Sequence, residues 1–346
     1  MNAALPEVSD GTVEVADPSV LGRHLLGIEG LDRTSLEEML ELTDSFAEIG
    51  RRPIPKVPAL RGRTVATVFF EDSTRTRLSF DTAARRLSAD TVAFAAGSSS
   101  LSKGESLRDT IEVVGSYGAD LLVVRHPMAG TAHQIAGWTD AAVVNAGDGC
   151  HEHPTQAMLD CYTLREKRGS LDGMRIAIVG DVRHSRVARS NVLAFTALGA
   201  EVVLVGPATL IPPAVDGWPV TVAHELDPLL GDLDAVYLLR MQRERITEGL
   251  VPSMREFAAD FGLTADRTSR LRDDALILHP GPTNPGVEIS AEATADPRSV
   301  ILDQVANGVS VRMAVLFLLL GSGRSPSGDA GPEASQPSGR EPGVTQ

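Results

Sequence analysis

Phe69-Phe70-Glu71-Asp72-Ser73-Thr74-Arg75-Thr76-Arg77-Leu78-Ser79-Phe80 decides how this chain is read. Residues Thr64 to Phe70 are β-branched and aromatic and predict a strand. From Arg75 onward the apolar residues Leu78, Phe80, Ala83, Ala84 and Leu87 recur at helical spacing. A polar turn therefore joins a strand to a helix. Hydroxyls, the Arg75 and Arg77 guanidiniums and free helix N-terminal amides gather there, aimed at one point, and this is the chemistry of a phosphate or similar dianion site. The turn lacks Gly-x-x-x-x-Gly-Lys, so it is no nucleotide phosphate loop, and a smaller, highly charged ligand is expected. The plain alternative is a surface helix cap rich in Ser, Thr and Arg.

Further strands are predicted at Thr91–Ala95, Asp120–Val124 and Ala142–Asn145. After a long helix from about Pro154 the pattern restarts with Met174–Val179, Glu201–Val205, Ala235–Leu239 and Ala275–Leu278. Two successive βα runs predict an α/β chain with two doubly wound parallel-sheet domains, their ligands at the carboxyl ends of strands. The expected division is a leader at 1–21, a first domain at 22–153 and a second at 154–303. An apolar helix at 304–320 is expected to complete the first domain, before a Gly-, Pro- and Ser-rich tail at 321–346 expected to be disordered. Thr34-Ser35-Leu36-Glu37 has capping-box form and predicts a helix with Leu36, Met39, Leu40 and Ala47 on one face.

A chain of 346 residues has room for two cores, and its net charge of −14 argues against a nucleic-acid partner. The motif arginines therefore read as local anion sites in an acidic protein. Cys150 and Cys161 belong to no metal-ligand pattern and fit a reducing cytoplasm. Met1 to Ser19 lacks the basic-then-apolar form of a signal peptide, and the apolar run Met313–Leu320 is too short to span a bilayer. A cytoplasmic protein without a membrane partner is expected.

Further polar groups follow strands or open helices. Arg125, after Leu121–Val124, can offer a bidentate contact to phosphate or a carbonyl oxygen; a surface strand end is the alternative. In Asn145-Ala146-Gly147-Asp148-Gly149-Cys150-His151-Glu152-His153-Pro154-Thr155-Gln156, glycines permit close backbone approach and Pro154 suits the first helical position. His153 and Gln156 then share a helix face at its N-terminus, where a neutral imidazole is favoured and can donate to a carbonyl oxygen. A zinc reading of His151 and His153 lacks a third ligand at familiar spacing. Gly180 to Arg186 follows a strand without Gly-x-Gly-x-x-Gly, which disfavours a dinucleotide site. Arg240-Met241-Gln242-Arg243-Glu244-Arg245 reads equally as a solvated helix start, and Ser98–Ser106 by composition is a surface loop with one lysine.

Taken in order, Ser-Thr-Arg-Thr-Arg at 73–77, Lys-Gly-Glu at 103–105, Arg-His-Pro at 125–127, His-Pro-Thr-Gln at 153–156, Arg-x-Gln-x-x-Arg at 240–245 and His-Pro-x-Pro at 279–282 resemble the aspartate carbamoyltransferases, over roughly His24 to Leu320. The resemblance implies carbamoyl transfer from carbamoyl phosphate to L-aspartate, a step towards pyrimidines, with no cofactor and no metal. It implies that Ser73, Thr74, Arg75, Thr76 and Arg125 hold phosphate, while Thr76, Arg125 and His153 reach the carbonyl oxygen. Gln156 and the Gly281–Pro282 backbone would hold the carbamoyl amide, although many relatives carry a larger apolar residue at the position of Gly281. Arg186, Arg240 and Gln242 would hold aspartate together with Lys103, delivered from a neighbouring subunit with Ser99 or Ser100 in a homotrimer. In the wider family a regulatory chain or dihydroorotase joins the catalytic chain, and both stand as candidate partners. Rival readings are a sister enzyme acting on ornithine or an acylated ornithine, and a non-catalytic scaffold subunit. Lys103, Arg186 and Arg240 suit a dicarboxylate better than ornithine.

Overall fold

The computed structural model describes residues 20–95, 106–241 and 250–321. Helix α1 (Arg33–Gly50) precedes a first set of alternating elements: β1 (Thr64–Phe69), α2 (Thr74–Arg86), β2 (Asp90–Ala95), α3 (Leu107–Ser116), β3 (Leu121–His126), α4 (Thr131–Ala136) and β4 (Ala142–Asp148). Helix α5 (Pro154–Arg168) leads to β5 (Arg175–Val179), α6 (Arg186–Ala197), β6 (Glu201–Val205), β7 (Thr221–Ala223) and β8 (Ala235–Leu238). Then come α7 (Met254–Phe261), α8 (Ala265–Arg270), β9 (Leu276–Leu278), α9 (Ala291–Ala295) and α10 (Ile301–Leu320).

The strands form two parallel sheets, ordered β2-β1-β3-β4 and β7-β6-β5-β8-β9. Central strands such as Val65–Phe69 and Ile176–Val179 are buried throughout, as parallel sheets covered on both faces require. In each sheet the chain first winds one way and then returns to the other side of its first strand. The strand order reverses between β1 and β3 in one sheet and between β5 and β8 in the other. Those two crevices, at the carboxyl ends of the strands, are where a doubly wound sheet binds ligands. The Ser73–Thr76 turn follows β1, Arg125 lies in β3, the turn before Arg186 follows β5, and Arg240 follows β8.

Three expectations are corrected. The α1 cap is not the Thr34–Glu37 box: Asp32 is the N-cap, its carboxylate accepting the Ser35 amide at 2.8 Å. Both starts place the same apolar face inward, so the pattern of Leu36, Met39, Leu40 and Ala47 could not separate them. Strand β7 was not anticipated, because three residues with Thr221 and Val222 exposed carry no readable period. The last helix begins at Ile301 and runs 20 residues, so by length and composition it could cross a membrane. Its Val311–Leu320 face is instead buried against α1, α2 and α5, with Phe317 edge-on to Phe46 at 5.5 Å. Continuous apolarity here marks a helix surrounded by protein.

If Asp32 is the cap, Asp32→Ala speeds hydrogen exchange at the Ser35 amide and lowers the thermal midpoint, whereas Thr34→Ala leaves both unchanged. The reverse ranking would restore the capping box.

Candidate active site

Ser73 caps α2 with extended backbone (φ −158°), yet its hydroxyl makes no capping hydrogen bond, so oxygen and first-turn amides remain able to meet a ligand. Thr76, one turn in, is buried. The Arg75 guanidinium crosses to the second sheet's loops: a Cβ added at Gly281 would stand 3.3 Å from its Cζ and Nε. Gly281 also has φ +62°, so both conformation and the close arginine favour glycine there. Burial and then the neighbouring Arg240 charge pull the Arg75 pKa below its usual value. Of the two turn arginines expected to converge, Arg75 lies beside Gly281. Arg77 lies over the Phe69 ring, 5.7 Å from its centroid.

Arg125 sits where the β3–β4 register slips between Val124 and His126, an irregularity that re-aims a side chain at a strand end. Its Nη1 donates to the Ala146 carbonyl at 3.2 Å and its Nε lies 3.4 Å from Glu71. Arg186, the first residue of α6 and only 5% exposed, donates to the same Glu71 carboxylate at 2.5 Å. Both guanidiniums pass over Gly147 (φ +113°): a Cβ there would stand 3.0 Å from Arg186 Nη1 and 3.1 Å from Arg125 Nη1. One carboxylate from the end of β1 thus joins an arginine of the first sheet to one that opens the first helix of the second.

His153 is the N-cap of α5, its backbone amide donating to Ser190 Oγ at 2.9 Å. Its imidazole is buried, and Nδ1 has no hydrogen-bond partner among the described residues. Burial, then the charges of Arg125, Arg312 and Arg186, push the His153 pKa well below 6.5. A neutral ring with an uncommitted nitrogen results. Gln156, one turn on, donates its Nε2 to Asp160 at 3.0 Å. A carboxylate only accepts, so the Gln156 oxygen is the atom left for another donor. Below the Gly281–Pro282 turn, buried His279 accepts the Gly281 amide on Nδ1 at 2.8 Å and contacts Glu288 through Nε2 at 3.1 Å.

Arg75 thus lies beside Gly281 and near the Arg240 charge, Arg125 and Arg186 meet on Glu71 over Gly147, and Ser73, Thr74 and Thr76 belong to the α2 start between Glu71 and Arg77. Pro282 follows Gly281 as an exposed residue of its turn. Lys103, Ser99, Ser100 and Gln242 lie outside the described residues. His151 stands apart from His153, bound to Asp148 at 3.2 Å and edge-on to the His133 ring. Sequence reading missed Glu71 as the link between arginines. Its signal was a carboxylate at a strand end, but nothing linear told which cation it would meet.

Arginines drawn together from both sheets, with a buried His153 nitrogen left unpartnered among the described residues, are a chemistry for binding anions. Residues 23–166 match the aspartate/ornithine carbamoyltransferase carbamoyl-P binding domain, and residues 172–319 the Asp/Orn binding domain of the same proteins. The chain belongs to the aspartate/ornithine carbamoyltransferase family. It is 54% identical over 301 residues to the aspartate carbamoyltransferase catalytic subunit of Acidothermus cellulolyticus, covering 87% of this chain and 93% of that protein. Among solved structures it resembles Trypanosoma cruzi aspartate transcarbamoylase in complex with carbamoyl phosphate and aspartate (TM-score 0.80, 31% identity, 89% and 100% of the two chains). The Trypanosoma cruzi enzyme in complex with N-(phosphonacetyl)-L-aspartic acid is similar at TM-score 0.80 and 30% identity, over 88% and 98% of the chains.

A depressed His153 pKa has a definite sign. The unfolded chain takes up a proton near pH 6.5 and the folded ring does not, so this contribution to stability is full above 6.5 and declines as pH falls below it. Ring resonances of His153 are expected to show no titration from about pH 8 to about pH 5.5, where an ordinary histidine shifts. A midpoint near 6.5 would contradict the assignment.

Proposed function

We propose that a cleft between the two sheets transfers the carbamoyl group of carbamoyl phosphate to the amine of L-aspartate, giving N-carbamoyl-L-aspartate and phosphate. The chain is a carbamoyltransferase, and its aspartate-carbamoylating relatives fix the acceptor class. The observation that carries the site assignment is the meeting of Arg125 and Arg186 over Gly147 on the Glu71 carboxylate. It supports two adjoining anion subsites, one from each sheet. Ser73, Thr74, Arg75, Thr76 and Arg125 hold the phosphate, and Thr76, Arg125 and neutral His153 donate to the carbonyl oxygen as charge grows there. Gln156 and the Gly281–Pro282 backbone accept the carbamoyl N–H groups. Arg186 and Arg240 hold the aspartate carboxylates, joined by Gln242 and by Lys103.

The aspartate amine attacks the carbamoyl carbon, the bond to the phosphate oxygen breaks, and departing phosphate takes the amine proton. Orientation of two mutually repelling anions is the protein's main task, and no covalent intermediate on a side chain is required. Lys103 comes from a neighbouring subunit of a cytoplasmic homotrimer, and the reaction serves pyrimidine synthesis. Exposed Val92 on edge strand β2, just before the segment that carries Lys103, supports an interface there. Dihydroorotase or a regulatory chain are the candidate further partners. We assign residues 22–153 with helix 304–320 to the carbamoyl-phosphate half and 154–303 to the aspartate half.

Purified protein given carbamoyl phosphate is expected to yield carbamoyl-aspartate with aspartate and nothing with ornithine; activity with ornithine alone would overturn the second-sheet assignment. Arg75→Ala is expected to reduce turnover on the order of a hundredfold to a thousandfold, about 3–4 kcal/mol of transition-state stabilisation. Near-normal turnover in the folded variant would remove Arg75 from the site.

A further inference from the structure

Asp160 lies inside α5, wholly buried, and its carboxylate receives hydrogen bonds from four uncharged side chains. Gln156 Nε2 (3.0 Å) and Gln304 Nε2 (2.7 Å) reach Oδ1; Asn191 Nδ2 (3.0 Å) and Tyr237 OH (2.7 Å) reach Oδ2. These donors come from α5, α10, α6 and β8, so one carboxylate ties the helix that carries His153 to the second sheet and to the last helix. Burial pushes its pKa up to about 6 while the four donors pull it down, and the anion is the form present at neutral pH. In that form it can only accept, which dictates the orientation of every amide around it.

Two of those amides lead to the cleft. Gln156 has its nitrogen on Asp160, and its oxygen receives no donor among the described residues. Gln304 has its nitrogen on Asp160 and its oxygen on the His279 backbone amide at 3.0 Å. The His279 ring in turn accepts the Gly281 amide. Both acceptor groups read for the carbamoyl amide, the Gln156 oxygen and the Gly281–Pro282 backbone, therefore depend on a single buried anion.

We propose that Asp160 is the positioning residue through which the site recognises the amide of carbamoyl phosphate. It holds the Gln156 oxygen toward the substrate N–H and, through Gln304 and His279, sets the turn that accepts the second N–H. Asp160 itself touches no substrate. The proposal rests on the carbamoyl-transfer reading above and adds a device for telling a carbamoyl from an acyl group. Acetyl phosphate carries the same phosphate and carbonyl but a methyl in place of the NH₂, so it cannot use this device.

The test is calorimetric titration of carbamoyl phosphate and of acetyl phosphate into the unaltered protein, Asp160→Leu and Asp160→Asn. The unaltered protein is expected to prefer carbamoyl phosphate. In Asp160→Leu, carbamoyl phosphate affinity falls on the order of tenfold to a hundredfold, the scale of a lost buried acceptor, while acetyl phosphate changes about twofold at most. Asp160→Asn, which can still offer one oxygen to Gln156 and Gln304, retains most of the preference. Should Asp160→Leu fail to fold, Gln304→Met cuts the branch to His279 and is expected to lower carbamoyl phosphate affinity selectively. Equal loss for both ligands, or an undiminished preference, in Asp160→Leu (or in Gln304→Met where Asp160→Leu does not fold) overturns the role of Asp160. An unaltered protein that binds neither phosphate overturns the carbamoyl-transfer reading itself.

Discussion

Glu71 holds together charges that would otherwise push apart. Arg125 belongs to the first sheet and Arg186 to the first helix of the second, and their guanidiniums crowd over Gly147. Without a shared carboxylate, like charges this close and this poorly hydrated would separate the two walls of the cleft. Salt bridges of this burial add little net stability, since desolvation offsets attraction, but they specify geometry well. Glu71, Gly147 and the β3 irregularity at Arg125 can be understood as one solution to that packing problem. In the proposed site a bound anion does the same work as Glu71, neutralising arginines already in place.

Electrostatics and shape then act together. The chain as a whole is strongly acidic, yet Arg75 and Arg240 are near enough for one to disfavour the other's charge. Arginines gathered locally in a negative protein are the arrangement on which the proposed small-anion site rests. Beside these cations His153 stays neutral, and neutrality suits its position. A charged ring would add to the repulsion, whereas a neutral one keeps a single N–H for the role proposed for it at the carbonyl oxygen.

Much of this was legible in the sequence because parallel sheets impose a simple code. Fully apolar strands alternate with helices, and polar residues gather at the carboxyl ends of strands; the Ser73–Thr76 turn and Arg240 follow that code, and Arg125 sits within the last two residues of β3, which runs two residues past its expected end at Val124. Short β7, with its side chains in solvent, has no such pattern. The α1 cap was misread because Asp32 and Thr34 are both good caps two residues apart, and only the backbone decides between them. Long-range pairing was the least legible part. Nothing local marks Glu71 for Arg186, 115 residues away, or Asp160 for Gln304, 144 residues away. Asp160 in particular reads as an ordinary polar residue on a helix until four elements are seen to converge on it.

The central claim is that the two sheets supply adjoining anion subsites of one cleft. The direct measurement is calorimetric titration with N-(phosphonacetyl)-L-aspartate, which carries a phosphonate and an aspartate dicarboxylate on one frame, beside phosphonoacetate and succinate singly. A cleft with both subsites in reach binds one linked molecule per chain, tighter than either fragment by about a hundredfold or more, as joining two ligands predicts. A linked compound that binds no more tightly than its better half would mean that the subsites are not occupied together, and the account of the site would fail.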